Sequence, residues 1–331
     1  MAPSKAEKSH SAKGGPFVSN LYPPVPEDRR VRRLQPPDGP IRMVLDTDTF
    51  NEIDDQFALA YTLLSKERIR LEAIYAAPFH NELSDGPKDG MEKSYDEIVR
   101  ILERMGESAE GFVFRGSERY LPGPQEPVDS EAARDLVAKA MAAPDDEPLY
   151  VVAIGAITNI ASAILLEPRI IEKIVVVWLG GHALWWNDAT EFNLKQDAAG
   201  AQVLLDCGVP LVLIPVLGVS SHLATTLPEI EAHVRGKGAI GDFLAERYAS
   251  VVKDHFGRSR VIWDISTIAW LLNPDAVPTE LVHSPVLTER LTWSRDTSRH
   301  LIRCATYVHR DAVFQDLFRK LERSAPQPNS R

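Results

Sequence analysis

The stretch "IRMVLDTDTFNEIDDQFALAYTLL", residues 41–64, runs from an apolar segment through a crowd of acidic side chains into a second apolar segment. Residues 41–45 predict a strand that is buried on both faces, and "DDQFALAYTLL" predicts a helix packed against it. Four aspartates and one glutamate lie within residues 46–55, from the end of the strand to the start of the helix. A strand, an acidic turn and a helix in this order predict an α/β protein that carries its functional groups at a strand end.

The rest of the chain repeats the alternation of strand and helix. Four further apolar runs predict strands, at residues 71–76, 149–154, 174–179 and 211–216. Helical patterns lie between or after them, at residues 91–105, 131–142, 197–206, 239–252 and 309–322. We therefore expect a single domain built on a doubly wound, mostly parallel open sheet of Rossmann-like type. Ligands bind such sheets beyond the carboxyl ends of the strands.

The two ends of the chain have a different composition from its middle. Residues 1–40 are rich in proline and basic side chains, with four arginines at positions 29, 30, 32 and 33. We expect them to form a flexible or polyproline-like arm. Residues 324–331 ("SAPQPNSR") predict a loose tail. The folded domain is expected over residues 41–323.

Charge and cysteine content narrow the class of protein. The formal net charge is -10, so the overall field repels nucleic acid and anionic lipid. Nucleic acid and membranes are therefore not expected partners. Cys207 and Cys304 do not form a CxxC pair, and no run of 18 apolar residues predicts a membrane span. These features favour a cytoplasmic protein with reduced thiols.

The acidic turn at residues 46–55 predicts a binding site for a cation. Because side chains alternate along a strand, Asp46 and Asp48 lie on one face, and Asp54 and Asp55 open the following helix. One of the latter pair has an ordinary explanation as a helix N-cap. Several carboxylates in one loop repel each other unless a cation joins them, and oxygen ligands suit Ca²⁺ or Mg²⁺.

Other predicted strand ends supply further candidates. Ile154 ends one strand with a backbone carbonyl, and a later loop contains five polar or aromatic candidates. Asp264 begins a helical pattern directly after Trp263. Taken singly, these residues fit caps, core or surface positions. Together they indicate a site for a polyol that carries a flat ring. The loop candidates are Trp185, Trp186, Asn187, Glu191 and Asn193.

At this point the sequence resembles the inosine-uridine-preferring nucleoside hydrolases. Their signature is an Asp-x-Asp followed by Asp-Asp and a helix, and "DTDTFNEIDDQFAL" matches it with two extra residues between the pairs. The resemblance extends over roughly residues 41–320. Its other blocks, in chain order, are "LEAIYAAPFHN", "GAITNIA", "EPRIIEKIVVVWLGG", "EFNLKQDAAGA" and "WDISTIAWLLNPDAV".

The resemblance implies an enzyme that hydrolyses the N-glycosidic bond of ribonucleosides with Ca²⁺. Carried over by position, it implies that the metal is held by Asp48, Asp55, Asp264 and the carbonyl of Ile154. The ribose would be gripped by Asp54, Asn81, Glu191 and Asn193, with Asn187 as a further candidate. Asp46 would lie behind the metal ligands and support them.

The implied catalytic residues are Asp48 (general base on a water at the metal), Asn193 and Trp263. Family members are usually homo-oligomers, so the resemblance implies a homodimer or homotetramer.

The sequence departs from the inosine-uridine pattern at the nucleobase. Trp263 stands where that pattern has a histidine, and it resembles purine-preferring members, in which a tryptophan stacks on the base. With Trp185 and Trp186 nearby, we expect a preference for purine ribonucleosides. His80 and His182 are candidates to contact or protonate the base, although histidines in such positions are more often structural.

Two alternatives stay open. "MVLDTDT" also fits the start of a haloacid-dehalogenase-type phosphatase, which would use Asp46 as nucleophile and Asp48 as acid. That scheme gives no role to Asp54 and Asp55. The second alternative is a nucleoside-binding or sugar-binding protein without catalysis.

Overall fold

The computed structural model describes residues 21–251 and 254–325. The strands within them are β1 (Ile41–Thr47), β2 (Ile69–Ala76), β3 (Val113–Arg115), β4 (Leu149–Ala153), β5 (Ile174–Leu179), β6 (Leu211–Ile214), β7 (Ala224–Thr225), β8 (Arg260–Val261), β9 (Thr279–His283), β10 (Val286–Leu287), β11 (Trp293–Ser294) and β12 (Leu301–Ala305). The α-helices are α1 (Glu27–Arg33), α2 (Ile53–Leu63), α3 (Pro87–Met105), α4 (Glu131–Met141), α5 (Thr158–Leu166), α6 (Phe192–Gln196), α7 (Ala198–Asp206), α8 (Leu227–His233), α9 (Gly238–Val251), α10 (Ile265–Leu272) and α11 (Arg310–Ser324). Short 3₁₀ helices lie at Pro168–Glu172, Ser220–His222 and Pro274–Ala276.

Eight strands form one sheet in the order β3-β2-β1-β4-β5-β6-β12-β9. All neighbouring pairs are parallel except β12 with β9, which is antiparallel. Strand order reverses on either side of β1, so β1 and β4 form the switch point at which such sheets bind ligands. The predicted mostly parallel, doubly wound sheet is confirmed, and each of the five predicted strands is present.

Helices cover both faces of the sheet, which explains why the strands read as continuous apolar runs. Met43 and Leu45 of β1 pack into the core that contains α2 and α10. Val44, between them, packs into the opposite core with α5 and Trp178. Because consecutive side chains point to opposite faces, a strand covered on both sides needs apolar residues at every position. The run therefore continues until β1 reaches Asp46 at the carboxyl edge.

The N-terminal region differs from the expected irregular arm. Residues 1–20 lie outside the described residues, but Glu27–Arg33 form α1, and Leu34 is fully buried. Arg30 and Arg33 are buried too, and they donate to the carbonyls of Gly208 and Asp145 at 3.2 and 3.0 Å. A composition rich in arginine predicts side chains that are exposed to solvent. A guanidinium group can nevertheless be buried when carbonyl oxygens accept its hydrogen bonds. At the other end α11 reaches Ser324, and residues 326–331 lie outside the described residues.

Both cysteines are buried and make no disulfide. In the described ranges, every helix is too short or too polar to cross a bilayer.

Candidate functional site

A cavity of about 270 Å³ opens at the carboxyl edge of the sheet, above β1, β4, β5 and β6. Acidic side chains line one end of it, where β1 leads into α2. Apolar side chains and a histidine line the other end, beyond β5 and β6. The lining residues are Asp48, Asn51, Glu52, Asp54, Asp55, Ile154, Leu179, His182, Thr190, Glu191, Phe192, Asn193, Val216, Leu217, Trp263 and Asp264.

The turn after β1 positions the first acids. Asp48 lies just past the strand, and the backbone N–H of Asn51 donates to its carbonyl at 2.7 Å, which closes a tight turn. The Asn51 amide also donates to Oδ2 of Asp48 at 3.1 Å. The helix α2 then begins at Ile53, so Asp54 and Asp55 lie in its first turn and Glu52 is the N-cap. The two aspartates are therefore not the cap itself, although the helix N-terminus favours their charge.

Four carboxyl groups converge at this end of the cavity. Oxygens of Asp54, Asp55 and Asp264 all lie within 4.8 Å of one another. Asp48 lies near Asp55: burial raises the pKa of Asp48, and the negative charge of Asp55 adds to the rise. Each of the four side chains is at most 3% exposed. Asp264 arrives from the start of α10, which packs against both α2 and β5.

Burial changes the protonation of these acids. It raises the pKa of Asp55 to about 7, although a hydrogen bond from Thr47 at 2.6 Å opposes the rise. Burial also raises the pKa of Asp48, Asp54 and Asp264 well above the ordinary value, and the neighbouring negative charges add to the effect. Without a positive charge, ionising all four together is therefore unfavourable.

Unpaired oxygens in the cluster fit a cation. Oδ1 of Asp48 and Oδ1 of Asp54 are buried, and neither has a hydrogen-bond partner among the described residues. Buried polar atoms are normally paired, and an unpaired carboxylate oxygen calls for an ion or an ordered water. The donor set is entirely oxygen, which suits a hard divalent cation such as Ca²⁺ or Mg²⁺. The cluster is thus chemically suited to hold a metal.

The carbonyl of Ile154 lies beside this cluster at the end of β4. The Asn193 amide donates to it at 3.2 Å and to the carbonyl of Leu179 at 3.1 Å, which ties the ends of β4 and β5 together. A carbonyl oxygen has two lone pairs, so that of Ile154 retains one for a cation.

Glu191 lines the cavity. It is the N-cap of α6, and its carboxyl accepts hydrogen bonds from the backbone N–H groups of Asn193, Leu194 and Gly181 at 2.8–3.0 Å. Burial nevertheless raises its pKa to about 7. A rigidly held carboxyl is suited to accept a hydrogen bond from a hydroxyl group of a ligand.

The remaining predicted site residues are distributed unevenly. Trp263 and His182 line the cavity. Asn81 does not line the cavity itself, but its side-chain amide donates a hydrogen bond to Oδ1 of the lining residue Asn51 at 2.6 Å. Trp185, Trp186 and Asn187 are exposed on the loop after β5 and do not line the cavity. Asp46 is fully buried below it, where its Oδ1 accepts a hydrogen bond from Asn159 at 2.7 Å.

Seven lining residues were not predicted as site residues from the sequence, namely Asn51, Glu52, Leu179, Thr190, Phe192, Val216 and Leu217. Leu179, Val216 and Leu217 lie at or directly after the ends of predicted strands, where their apolar side chains indicated core positions. Asn51 and Glu52 lie inside the acidic turn itself, so their position next to the aspartates was a usable signal. Thr190 and Phe192 flank Glu191, and their orientation depends on the fold of the loop rather than on any pattern.

An α/β sheet with buried carboxylates and a cavity at its switch point is typical of the class of α/β enzymes that bind small polar ligands beyond the carboxyl ends of the strands. Within that class, residues 43–315 match the model of the inosine-uridine preferring nucleoside hydrolase family. The chain therefore belongs to this family.

Curated relatives and solved structures agree with that placement. A putative pyrimidine-specific ribonucleoside hydrolase RihB from Shigella boydii is 28% identical over 164 residues, or 47% of this chain and 66% of that protein. The pyrimidine-specific RihB of Escherichia coli is 27% identical over 174 residues, or 50% of this chain and 55% of that protein. The matched region thus spans less than two thirds of either relative's length.

Among solved structures, a plant nucleoside hydrolase superposes with a TM-score of 0.69 at 19% identity, covering 87% of this chain and all of that one. A purine-preferring ribonucleoside hydrolase from Gardnerella vaginalis gives 0.67 at 20% identity, covering 86% and 98%. At these identities the likeness is one of fold.

Proposed function

We propose that the protein hydrolyses the N-glycosidic bond of ribonucleosides to ribose and a free base, with Ca²⁺ as its metal and a preference for purines. The observation that carries the proposal is the buried cluster of Asp54, Asp55 and Asp264, whose oxygens lie within 4.8 Å of one another. Asp48 lines the same cavity, and Oδ1 of Asp48 and Oδ1 of Asp54 have no hydrogen-bond partner among the described residues. Membership of the nucleoside hydrolase family supports the reaction, and the acidic cavity supports the metal.

The cation would be held by Asp48, Asp55, Asp264 and the carbonyl of Ile154. Asp54 is also close enough to be a ligand, because it belongs to the same group of oxygens within 4.8 Å. Once bound, a divalent cation would orient the two ring hydroxyls of ribose and make a nearby water more acidic.

The chain's own residues supply the other requirements of the reaction. Cleavage of an N-glycosidic bond builds positive charge on the sugar ring, which surrounding carboxylates stabilise. Asp48 is the proposed general base, since it lines the cavity with a free oxygen. Glu191 and Asn193 are the residues proposed to hold the rest of the ribose, and their hydrogen bonds to the backbone keep them in position, which supports this role.

The proposed purine preference rests on Trp263, which lines the cavity and whose indole ring is suited to stack on a nucleobase. Relatives bear names of both kinds, because the RihB proteins are called pyrimidine-specific and the Gardnerella enzyme purine-preferring. The names of these relatives therefore do not indicate which nucleobase this chain prefers, and the proposal depends on the side chains of its own cavity.

A nucleoside panel tests the proposal. Purified protein is incubated with inosine, adenosine, guanosine, uridine and cytidine in CaCl₂, and ribose is measured as reducing sugar. We expect release of ribose, fastest from purine nucleosides, and its loss in EDTA. The variant Asp264→Asn should weaken Ca²⁺ binding in calorimetric titration as well as turnover. Glu126→Gln, which changes an exposed acid outside the cavity, serves as its control.

The same panel separates the alternatives. Hydrolysis of p-nitrophenyl phosphate without release of ribose would favour a phosphatase. The structure gives that alternative little support, because Asp46, its required nucleophile, is fully buried and does not line the cavity. Tight nucleoside binding without any turnover would favour a binding protein.

A further inference from the structure

His182 lines the cavity on the side formed by the segments after β5 and β6. The side chain is 8% exposed, and the ring packs edge-on against Trp186 with centroids 6.2 Å apart. The backbone around it is firmly held, because Trp293 donates to the His182 carbonyl at 3.0 Å and the Ala183 N–H donates to the Leu217 carbonyl at 3.0 Å. His182 is therefore a fixed part of the wall.

The contact with Leu217 selects one tautomer of the ring. The backbone N–H of Leu217 points at Nδ1 of His182 at 3.4 Å, so Nδ1 is the acceptor and the proton of a neutral ring lies on Nε2. Burial also lowers the pKa of His182, which keeps the ring neutral. Nε2–H makes no hydrogen bond to any described residue. The side chain thus offers one free N–H.

Free donors are scarce in this cavity. Both hydrogens of the Asn193 amide are used by the carbonyls of Ile154 and Leu179. The Thr190 hydroxyl donates to Asp188, and the Asn51 amide is turned to Asp48 at the acidic end.

Trp263 is a further lining side chain whose N–H has no partner among the described residues. That group lies in the plane of the indole ring, so it points away from a base that stacks on the ring's face. All other ionisable side chains of the lining are carboxyls.

A nucleobase leaves with the electron pair of the broken C1'–N bond, and carboxylates around it oppose the growing negative charge. We propose that His182, as the neutral Nε2–H tautomer, donates a hydrogen bond to the leaving nucleobase and is the catalytic residue that stabilises its departure. The inference rests on the proposed function. The water oxygen bonds to C1', a carboxyl takes one proton of that water, and the base acquires its proton from solvent. His182 remains neutral throughout.

Two substrates and two variants test this role. In p-nitrophenyl β-D-ribofuranoside the leaving group is stable as an anion and needs no hydrogen bond, whereas the base of inosine needs one. His182→Asn retains an acceptor for the Leu217 N–H but removes the outer donor. We expect it to lower kcat/KM for inosine by about 10- to 100-fold and that for the p-nitrophenyl substrate by less than about 3-fold. His182→Gln, whose amide reaches further, should recover part of the loss.

The thermal midpoint of each variant shows whether the fold is retained, and His283→Asn, on the edge strand β9, is the matched control. Equal losses on the two substrates, or an unchanged inosine rate in His182→Asn, would overturn the role of His182 while leaving the hydrolase proposal intact. If the unmodified protein cleaves neither substrate nor any nucleoside of the panel, the proposed function itself fails.

Discussion

The side-chain amide of Asn159, near the start of α5, donates hydrogen bonds to Oδ1 of Asp46 at 2.7 Å and to the carbonyl of Ala76 at 3.2 Å. Its oxygen accepts the backbone N–H of Ser117 at 2.7 Å. One buried amide thus joins the carboxyl ends of β1 and β2 to the segment after β3, directly beneath the cavity. Asp46, whose pKa burial raises to about 7, depends on this contact, because its second oxygen has no partner among the described residues.

We expect Asn159→Ala to destabilise the protein strongly. It leaves three buried polar groups without their partner, and each costs about 1–3 kcal/mol. A loss of at least about 2 kcal/mol in the free energy of unfolding should appear in urea denaturation. Ser130→Ala, which removes the N-cap of α4, provides a reference of about 1 kcal/mol. Equal urea midpoints of unfolding for Asn159→Ala and Ser130→Ala would show that Asn159 contributes no more to stability than an ordinary helix residue.

The buried acids predict how stability depends on pH. In the folded protein the pKa of Asp46, Asp55 and Glu191 is about 7, above the ordinary values of 3.8 for Asp and 4.5 for Glu. The folded state therefore binds more protons between about pH 4 and 7, so their contribution to stability is complete below this window and lost as pH rises through it. In EDTA, we expect a lower melting temperature at pH 8 than at pH 5.

Calcium should change this dependence, since a bound cation stabilises the ionised carboxylates. Melting curves at pH 5 and pH 8, with EDTA or CaCl₂, measure the effect, and the gain from CaCl₂ should be larger at pH 8. Asp55→Asn removes one titrating group, so a shallower pH slope in this variant separates the site from the general effect of net charge. A melting temperature in EDTA that increases from pH 5 to pH 8 would contradict the assignment.

Trp263 should decide between types of base. A purine presents a larger face than a pyrimidine, and stacking of a base on an aromatic ring is worth about 1–3 kcal/mol. We expect Trp263→Ala to lower kcat/KM for inosine by about 10- to 100-fold and that for uridine by less. Trp263→Phe should retain more of the inosine activity. Trp185→Ala is the matched comparison, because Trp185 is exposed and lies outside the lining, and a larger loss there than at position 263 would refute the stacking role.

The sequence predicted those features that depend on local pattern. Buried parallel strands are continuous apolar runs, so the alternation of strands and helices was sufficient to predict the sheet. The sheet then brings Asp48, Ile154 and Glu191 to one edge, because the carboxyl ends of parallel strands face the same side. This is why residues more than a hundred positions apart could be assigned to one cavity.

Features that depend on loop geometry or distant partners could not be predicted in this way. The partner of Asn159 is 113 positions away in the chain, and only the packed structure shows that its amide faces Asp46 rather than capping a helix. Asn187 belongs to a loop whose path no periodicity determines, and it lies on the surface. The arginines of α1 looked solvated, because a sequence does not show which backbone carbonyls will accept their hydrogens.

Leu34 is the residue directly after helix α1. Leu34 is fully buried in the core that contains α2 and α10, although it lies in a region whose composition predicts an irregular arm. Leu34→Ala should therefore cost about 2–5 kcal/mol of unfolding free energy, as for other buried leucines. Leu21, which is 45% exposed, provides the matched substitution in the same region, and Leu21→Ala should change stability by less than about 0.5 kcal/mol. Urea denaturation of both variants measures the difference. If Leu34→Ala is as stable as Leu21→Ala, then α1 and Leu34 are not part of the folded core, and the region behaves as the arm that its composition predicts.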